Sequence, residues 1–312
     1  MKKTTLLFPG QGSQRPGMLQ ALDTTDQITA EIFAQTLEIL SEPATVLDGE
    51  DKLQSTVYVQ ICLLIAGVIS GKQLLASGVK PDFVAGHSVG AFSAAVISGV
   101  LSFKQALALV KNRGTLMENA YPKGYGMAAL VGLPLPSLKK LLSAHNESQD
   151  TIYLANINTA DQQVIAGRLD SIQRFIENLK QNTGIQKARV LNMSVPSHCV
   201  LLEDVSRALK IQLDELILGK PVFGYASNHS GRLLKTSVAI REDLWKSVAC
   251  TVQWHDATTL LYELGTRIFI ETNPSGVLSK MAESAFADAD VLAVQESGAG
   301  PVSWLWKRFQ AE

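Results

Sequence analysis

Phe83-Val84-Ala85-Gly86-His87-Ser88-Val89-Gly90-Ala91-Phe92-Ser93-Ala94-Ala95-Val96-Ile97 is the stretch on which the fold turns. Residues 83–85 are short, apolar and strand-like. A Gly-x-Ser-x-Gly pentapeptide follows at once, and the small apolar residues of 91–97 read as a helix. Strand, tight turn and helix in that order form the context of a nucleophile elbow. The two glycines let the chain make a strained turn that lifts Ser88 Oγ clear of the backbone. The N–H of Val89, at the start of the helix, then points to where an oxyanion would develop. A plain strand–helix turn with a buried serine is the alternative, since the pentapeptide alone is a modest signal.

Working outward, residues 4–8 form a second strand, ending at Pro9-Gly10-Gln11-Gly12-Ser13-Gln14. A Gly-rich polar loop straight after a strand belongs at the carboxyl edge of a sheet, where α/β folds place ligands. Val57, Ile61, Leu64, Ile65 and Val68 recur at helical spacing. Residues 127–191 read differently. A strand at 127–131, a helix at 135–144, strands at 152–157 and 163–166, a helix at 169–181 and a strand at 186–191 make a βαββαβ split unit. The expected fold is therefore a large α/β-hydrolase-like domain with a parallel-sheet core, residues 1–126 and 192–312, carrying an inserted ferredoxin-like subdomain at 127–191. The large domain resumes with a helix from Cys199, a strand at 222–226, helices around Leu244 and Ala257, and a strand at 267–271.

The composition narrows the function. The 312 residues are 46% hydrophobic and 18% charged with a formal net charge of −1, which argues against a nucleic-acid partner. The histidines are scattered and none stands at metal-ligand spacing with cysteine, so no metal is expected. Cys62, Cys199 and Cys250 are odd in number and far apart, which fits a reducing, cytoplasmic setting. The apolar run 6–8 breaks at Pro9-Gly10, too early for a secretion signal. The longest apolar stretch, 61–69, falls short of the ~20 residues of a membrane span. A soluble protein is expected.

A serine hydroxyl needs a base at neutral pH. His87 is adjacent, but neighbouring side chains at such a turn diverge, so a packing role suits it better. His198, in Val195-Pro196-Ser197-His198-Cys199, is the better base. Pro196 and an N-capping Ser197 would set it at a rigid helix start, where the helix dipole keeps an imidazole neutral. From spacing alone a satisfied structural histidine is equally open. His229 and His255 read as loop and helix-surface residues.

Phe8-Pro9-Gly10-Gln11-Gly12-Ser13-Gln14, Gly86-His87-Ser88-Val89-Gly90, Arg113-Gly114-x-x-Met117, Asn156-Ile157-Asn158 with Gln163-Val164-Ile165-Ala166-Gly167, Val195-Pro196-Ser197-His198-Cys199 and Val252-Gln253-Trp254 occur in order. Together they resemble the malonyl-CoA:acyl-carrier-protein transacylase family over nearly the whole chain. Gly90-Ala91-Phe92 and Tyr121-Pro122-x-Gly124-Tyr125-Gly126-Met127 look most like its malonate decarboxylase epsilon branch.

The resemblance implies that Ser88 attacks a malonyl thioester and that His198 takes its proton. It implies an oxyanion hole from the N–H groups of Gln11 and Val89, and a grip on the free malonyl carboxylate by Arg113. On pattern alone Arg113 would be a solvated charge in a helix and Met117 ordinary core. With the resemblance, Met117 lines the pocket and Asn158 contacts substrate. No bound cofactor is implied. Malonyl-CoA is the donor and an acyl carrier protein the partner. The acceptor thiol is carried either on the phosphoribosyl-dephospho-CoA arm of the malonate decarboxylase carrier subunit or on a phosphopantetheine arm in fatty-acid synthesis. A serine thioesterase and an idle docking subunit are the rival functions.

There are departures. Ala91 stands where many of the fatty-acid enzymes have Glu, and Asp161-Gln162 replaces Pro-Gly. Ser247 falls where a Gln carbonyl orients the histidine; a backbone carbonyl can come from any residue. Asn228 reads as a structural turn residue.

Overall fold

The computed structural model describes residues 2–311 except Pro122, Ser148, Gln149, Ser194 and Ser275, so Pro122 of the quoted motifs lies outside the described residues. Strand β1 (Lys3–Phe8) is buried on both faces after its first residue, as a strand between helical layers must be. Helices α1 (Gln27–Leu40) and α2 (Thr56–Ala76) follow, then β2 (Phe83–Gly86), α3 (Gly90–Ile97) and α4 (Phe103–Ala120). Next come β3 (Tyr125–Val131), α5 (Leu135–Asn146), β4 (Tyr153–Ile157), β5 (Gln162–Arg168), α6 (Leu169–Asn182) and β6 (Lys187–Val190). The chain ends with α7 (Glu203–Asp214), β7 (Gly224–Ala226), β8 (Leu233–Leu234), α8 (Ser237–Lys246), α9 (Trp254–Glu263), β9 (Thr266–Glu271), α10 (Val277–Ala285), β10 (Asp290–Ala293), α11 (Val294–Ser297) and α12 (Ala299–Ala311).

Two sheets result. The larger has the order β10-β9-β1-β2-β7-β8 and is parallel except for the β7–β8 pair. Its parallel sense brings the ends of β1, β2 and β7 to one edge. That edge gathers the loops after Phe8, Gly86 and Ala226. The smaller sheet has the order β4-β5-β3-β6, antiparallel throughout, which is the order of a βαββαβ split unit. It begins at Tyr125, slightly ahead of the expected 127. The sheets meet where Val252 takes the place of a neighbour strand beside β4: its N–H donates to Ala155 O and its carbonyl accepts from Ile157 N–H, both at 2.9 Å.

Helix α2 differs from its sequence reading. Its 21 residues are long and apolar enough to cross a membrane by length and composition. The apolar run extends past 61–69 because Ser70 and Gly71 are small residues buried in the helix. Most of it packs inside the protein, where α4 and α3 lie against it. Ser55 starts the helix by accepting from Val57 N–H. Helix α4 carries a capping box, Ser102 with Gln105. The strand expected at 222–226 is shorter, Gly224–Ala226.

Candidate active site

The Gly86–Gly90 turn follows β2 directly. A Cβ at Gly86 would come within 2.2 Å of the Gly90 backbone, and one at Gly90 within 2.1 Å of Phe8 O. Only glycine lets the strand, the turn and the end of β1 approach this closely. Ser88 itself takes a left-handed backbone, φ 54°. For a residue with a side chain that is a strained conformation, of the kind that collects at working sites.

Ser88 Oγ lies 2.7 Å from His198 Nε2. On the other side of the ring, Nδ1 lies 2.6 Å from the carbonyl of Ser247. A carbonyl can only accept, so Nδ1 carries the proton and Nε2 is left free to accept from the serine hydroxyl. Ser247 caps the carboxyl end of α8, and the His198 N–H donates to Val248 O at 3.0 Å. A helix carboxyl end also favours a ring that takes up a proton.

The expected helix start at Ser197–His198 is not what holds this histidine. His198 has a left-handed backbone, φ 63°, and Ser197 caps nothing. A 3-10 turn, Val200–Leu202, precedes α7. The chain cannot take helical geometry while both the N–H and the ring of His198 are tied to the end of α8. Neutrality has a different source as well: burial first, then the Arg113 charge, bring the His198 pKa down to about 3.

Arg113, on α4, is 1% exposed. Its Nη1 donates to Gln60 Oε1 at 2.5 Å and its Nη2 to Ser88 Oγ at 3.4 Å, while Nε has no acceptor among the described residues. No carboxylate pairs with it among the described residues. Burial lowers its pKa to about 10, which still leaves it charged at neutral pH. Gln60 in turn donates to Met117 Sδ at 3.5 Å, so Met117 helps orient the group that orients Arg113.

Ser88, His198, Arg113 and Met117 line a small cleft of about 50 Å³, partly open to solvent. Gln11, Ser88, Val89, Arg113, Met117 and His198 are all on its wall. The backbone N–H groups of Gln11 and Val89 have no protein acceptor among the described residues. Asn158 is not on that wall. Its Oδ1 accepts from His87 Nε2 at 3.2 Å, and the His87 ring sits edge-on to Trp254. Asn156, two residues earlier and within β4, lines the cleft instead, its Oδ1 buried without a partner. Gln60 was not singled out in the sequence, and Asn156 stood there only as part of the Asn156-Ile157-Asn158 motif, with the substrate contact given to Asn158. An uncharged polar residue within an apolar helix is the one signal available for Gln60.

The chain's residues 5–298 match the acyl transferase domain family. It is 32% identical over 300 residues to the malonyl CoA-acyl carrier protein transacylase of Bacillus subtilis (strain 168), covering 95% of this chain and 94% of the relative. The transacylase of Escherichia coli (strain K12) is 31% identical over 304 residues, covering 96% of this chain and 98% of the relative. The solved transacylase of Coxiella burnetii superposes with a TM-score of 0.92 at 28% identity, covering 98% of both chains. A malonyl-transacylase solved in complex with a type II PKS acyl-carrier protein gives 0.90 at 30% identity, covering 96% of this chain and 98% of that one. With the elbow, the buried histidine and a match this long, the chain belongs to the acyl transferase family that includes the malonyl CoA-acyl carrier protein transacylases.

Proposed function

We propose that this protein moves a malonyl group from malonyl-CoA, through an ester on Ser88, to the thiol of an acyl carrier protein. The buried guanidinium of Arg113, without a carboxylate partner and 3.4 Å from Ser88 Oγ, is the observation that carries the substrate. An isolated buried charge is costly unless something of opposite sign pairs with it. A malonyl carboxylate would do so through two parallel N–H bonds, from Nε and Nη2.

In the first half-reaction Ser88 gives its proton to His198 Nε2 as Oγ attacks the thioester carbonyl. The carbonyl oxygen, now negative, takes the N–H groups of Gln11 and Val89. The C–S bond then breaks and CoA leaves with the proton from His198. In the second half-reaction the carrier thiol gives His198 its proton and attacks the ester, and Ser88 recovers the proton as it leaves. The thioester is already activated, so these steps call on no bound cofactor. Division into a catalytic part, 1–126 with 192–312, and a smaller part, 127–191, suits this reading: the nucleophile and base come from the first, Asn156 from the second.

The names of the relatives favour a phosphopantetheine-bearing carrier, as in fatty-acid synthesis, over the malonate decarboxylase carrier subunit expected from the sequence. Gly90-Ala91-Phe92 and the Tyr121–Met127 motif still favour the second acceptor. A competition assay with both carriers, each bearing its own arm, tests the two. Transfer at least tenfold faster to the phosphopantetheine carrier supports the first, and the reverse supports the second. Rapid malonate release with no thiol present would overturn both in favour of a thioesterase.

A further inference from the structure

Asn228 follows β7 and is buried under the elbow. The Ser88 N–H donates to its Oδ1 at 2.9 Å, and its Nδ2 donates to Gly86 O at 2.8 Å. An N–H can only donate and a carbonyl can only accept, so the amide can face one way only. The two atoms it grips bracket His87, immediately before the left-handed Ser88. Asn228 is itself held: its N–H donates to Asp243 Oδ2 at 3.2 Å, and its carbonyl accepts from Gln253 N–H at 2.7 Å. Asp243, fully buried on α8, also accepts from Ser227 Oγ at 2.6 Å, His229 Nδ1 at 2.8 Å, His229 N at 3.1 Å and Tyr225 OH at 3.2 Å. The same helix presents the Ser247 carbonyl to His198. One element thus steadies the base directly and the nucleophile through Asn228.

We propose that Asn228 is a positioning residue for acyl transfer. It holds Ser88 in the strained turn that aims Oγ at His198. It also occupies the Ser88 N–H, so that the developing oxyanion falls to the unpaired N–H groups of Val89 and Gln11. The inference rests on Ser88 being the acylated nucleophile.

The test uses the full chain with Asn228→Ala and Asn228→Asp. Two rates are followed: malonylation of Ser88 by malonyl-CoA and phosphonylation of Ser88 by a fluorophosphonate probe. Unfolding midpoints show that the variants are folded. Asn228→Ala is expected to slow both reactions by about 10²-fold, the size of a lost oxyanion donor, with KM for malonyl-CoA unchanged. Asn228→Asp keeps the acceptor for Ser88 N–H but at neutral pH sets a carboxylate against Gly86 O. As the pH falls to about 5 the introduced carboxyl gains a proton and can donate again. Its probe rate relative to the parent protein then rises by about tenfold or more. His198 stays neutral in that range, its pKa being about 3.

Parental probe rates at neutral pH in either folded variant overturn the proposal, as does a raised KM with an unchanged acylation rate. If Asn228→Ala does not fold, the Asn228→Asp ratio decides alone, and a flat ratio refutes the clamp. A parent that reacts with the probe but not with malonyl-CoA refutes the malonyl reading, and the clamp is still judged on the probe.

Discussion

Arg113 makes the sharpest demand on a single residue. Its guanidinium is buried, paired to Gln60 and short of one anion. Arg113→Ala is expected to lower kcat/KM for malonyl-CoA by orders of magnitude while acetyl transfer is spared or improved; equal loss with both donors would make the arginine structural. The same substitution carries a pH signature. The Arg113 charge helps hold the His198 pKa low, so its removal raises that pKa. The acid limb of kcat/KM, followed with acetyl-CoA so that no substrate carboxylate enters, should move to higher pH. Ser88 and His198 were legible as residue types, one from its glycines and the other as the best available base. The partner of His198 was not, because a backbone carbonyl leaves no trace in side-chain identity. Ser247 could be reached only by counting back from Trp254.

At the scale of elements, the helices bearing the site are tightly fitted. A Cβ at Gly114 would stand 2.8 Å from Val57 Cα, so Gly114→Ala pushes α4 away from α2. Alanine gains about 1 kcal/mol in helix propensity, whereas overpacking costs about 1–3 kcal/mol. The clash involves backbone and cannot be relieved by a rotamer. A net loss of ~1 kcal/mol in urea unfolding is expected, with reduced malonyl transfer because Arg113 is the adjacent residue. Ser102→Ala removes the capping box at the far end of α4. It should cost about 1 kcal/mol and leave malonyl transfer unchanged, since it is remote from the cleft. The same helices mark where periodicity served well and where it did not. The alternation of strand and helix was readable because burial demands it. The start of α7 was misread, because Pro196-Ser197 resembles a cap while the histidine beside it is tied to another helix.

For the whole molecule, acid stability follows from three histidines that folding takes wholly or partly out of water. Burial lowers the pKa of His87, His145 and His198 in the folded chain, the last to about 3. Below an unfolded pKa of about 6.5 the unfolded chain binds protons that the folded chain refuses. Stability is therefore full above about 6.5 and falls as the pH drops toward the folded values. Urea unfolding across that range should show the slope, and His198→Gln should reduce it; an unchanged slope would mean that carboxylates alone account for the acid sensitivity.

The sequence by itself determined the elbow, the split unit between the halves of the larger sheet, and the residue types of the proposed nucleophile and base. These follow from local rules: glycine where no Cβ fits, short apolar runs where a strand is buried, helical spacing where one face is covered. Tertiary structure alone decided that Gln60 aims Arg113 and that Asn156, not Asn158, faces the cleft, and it turned the Ser247 carbonyl onto His198 Nδ1. It also decided that Asn228 grips the turn around Ser88. The contacts of Ser247, Gln60 and Asn228 join residues far apart in the chain through oriented hydrogen bonds, and spacing along the sequence carries no information about such orientation. The elbow is thus written locally, and the direction in which its serine points is set by α8 and the turn after β7.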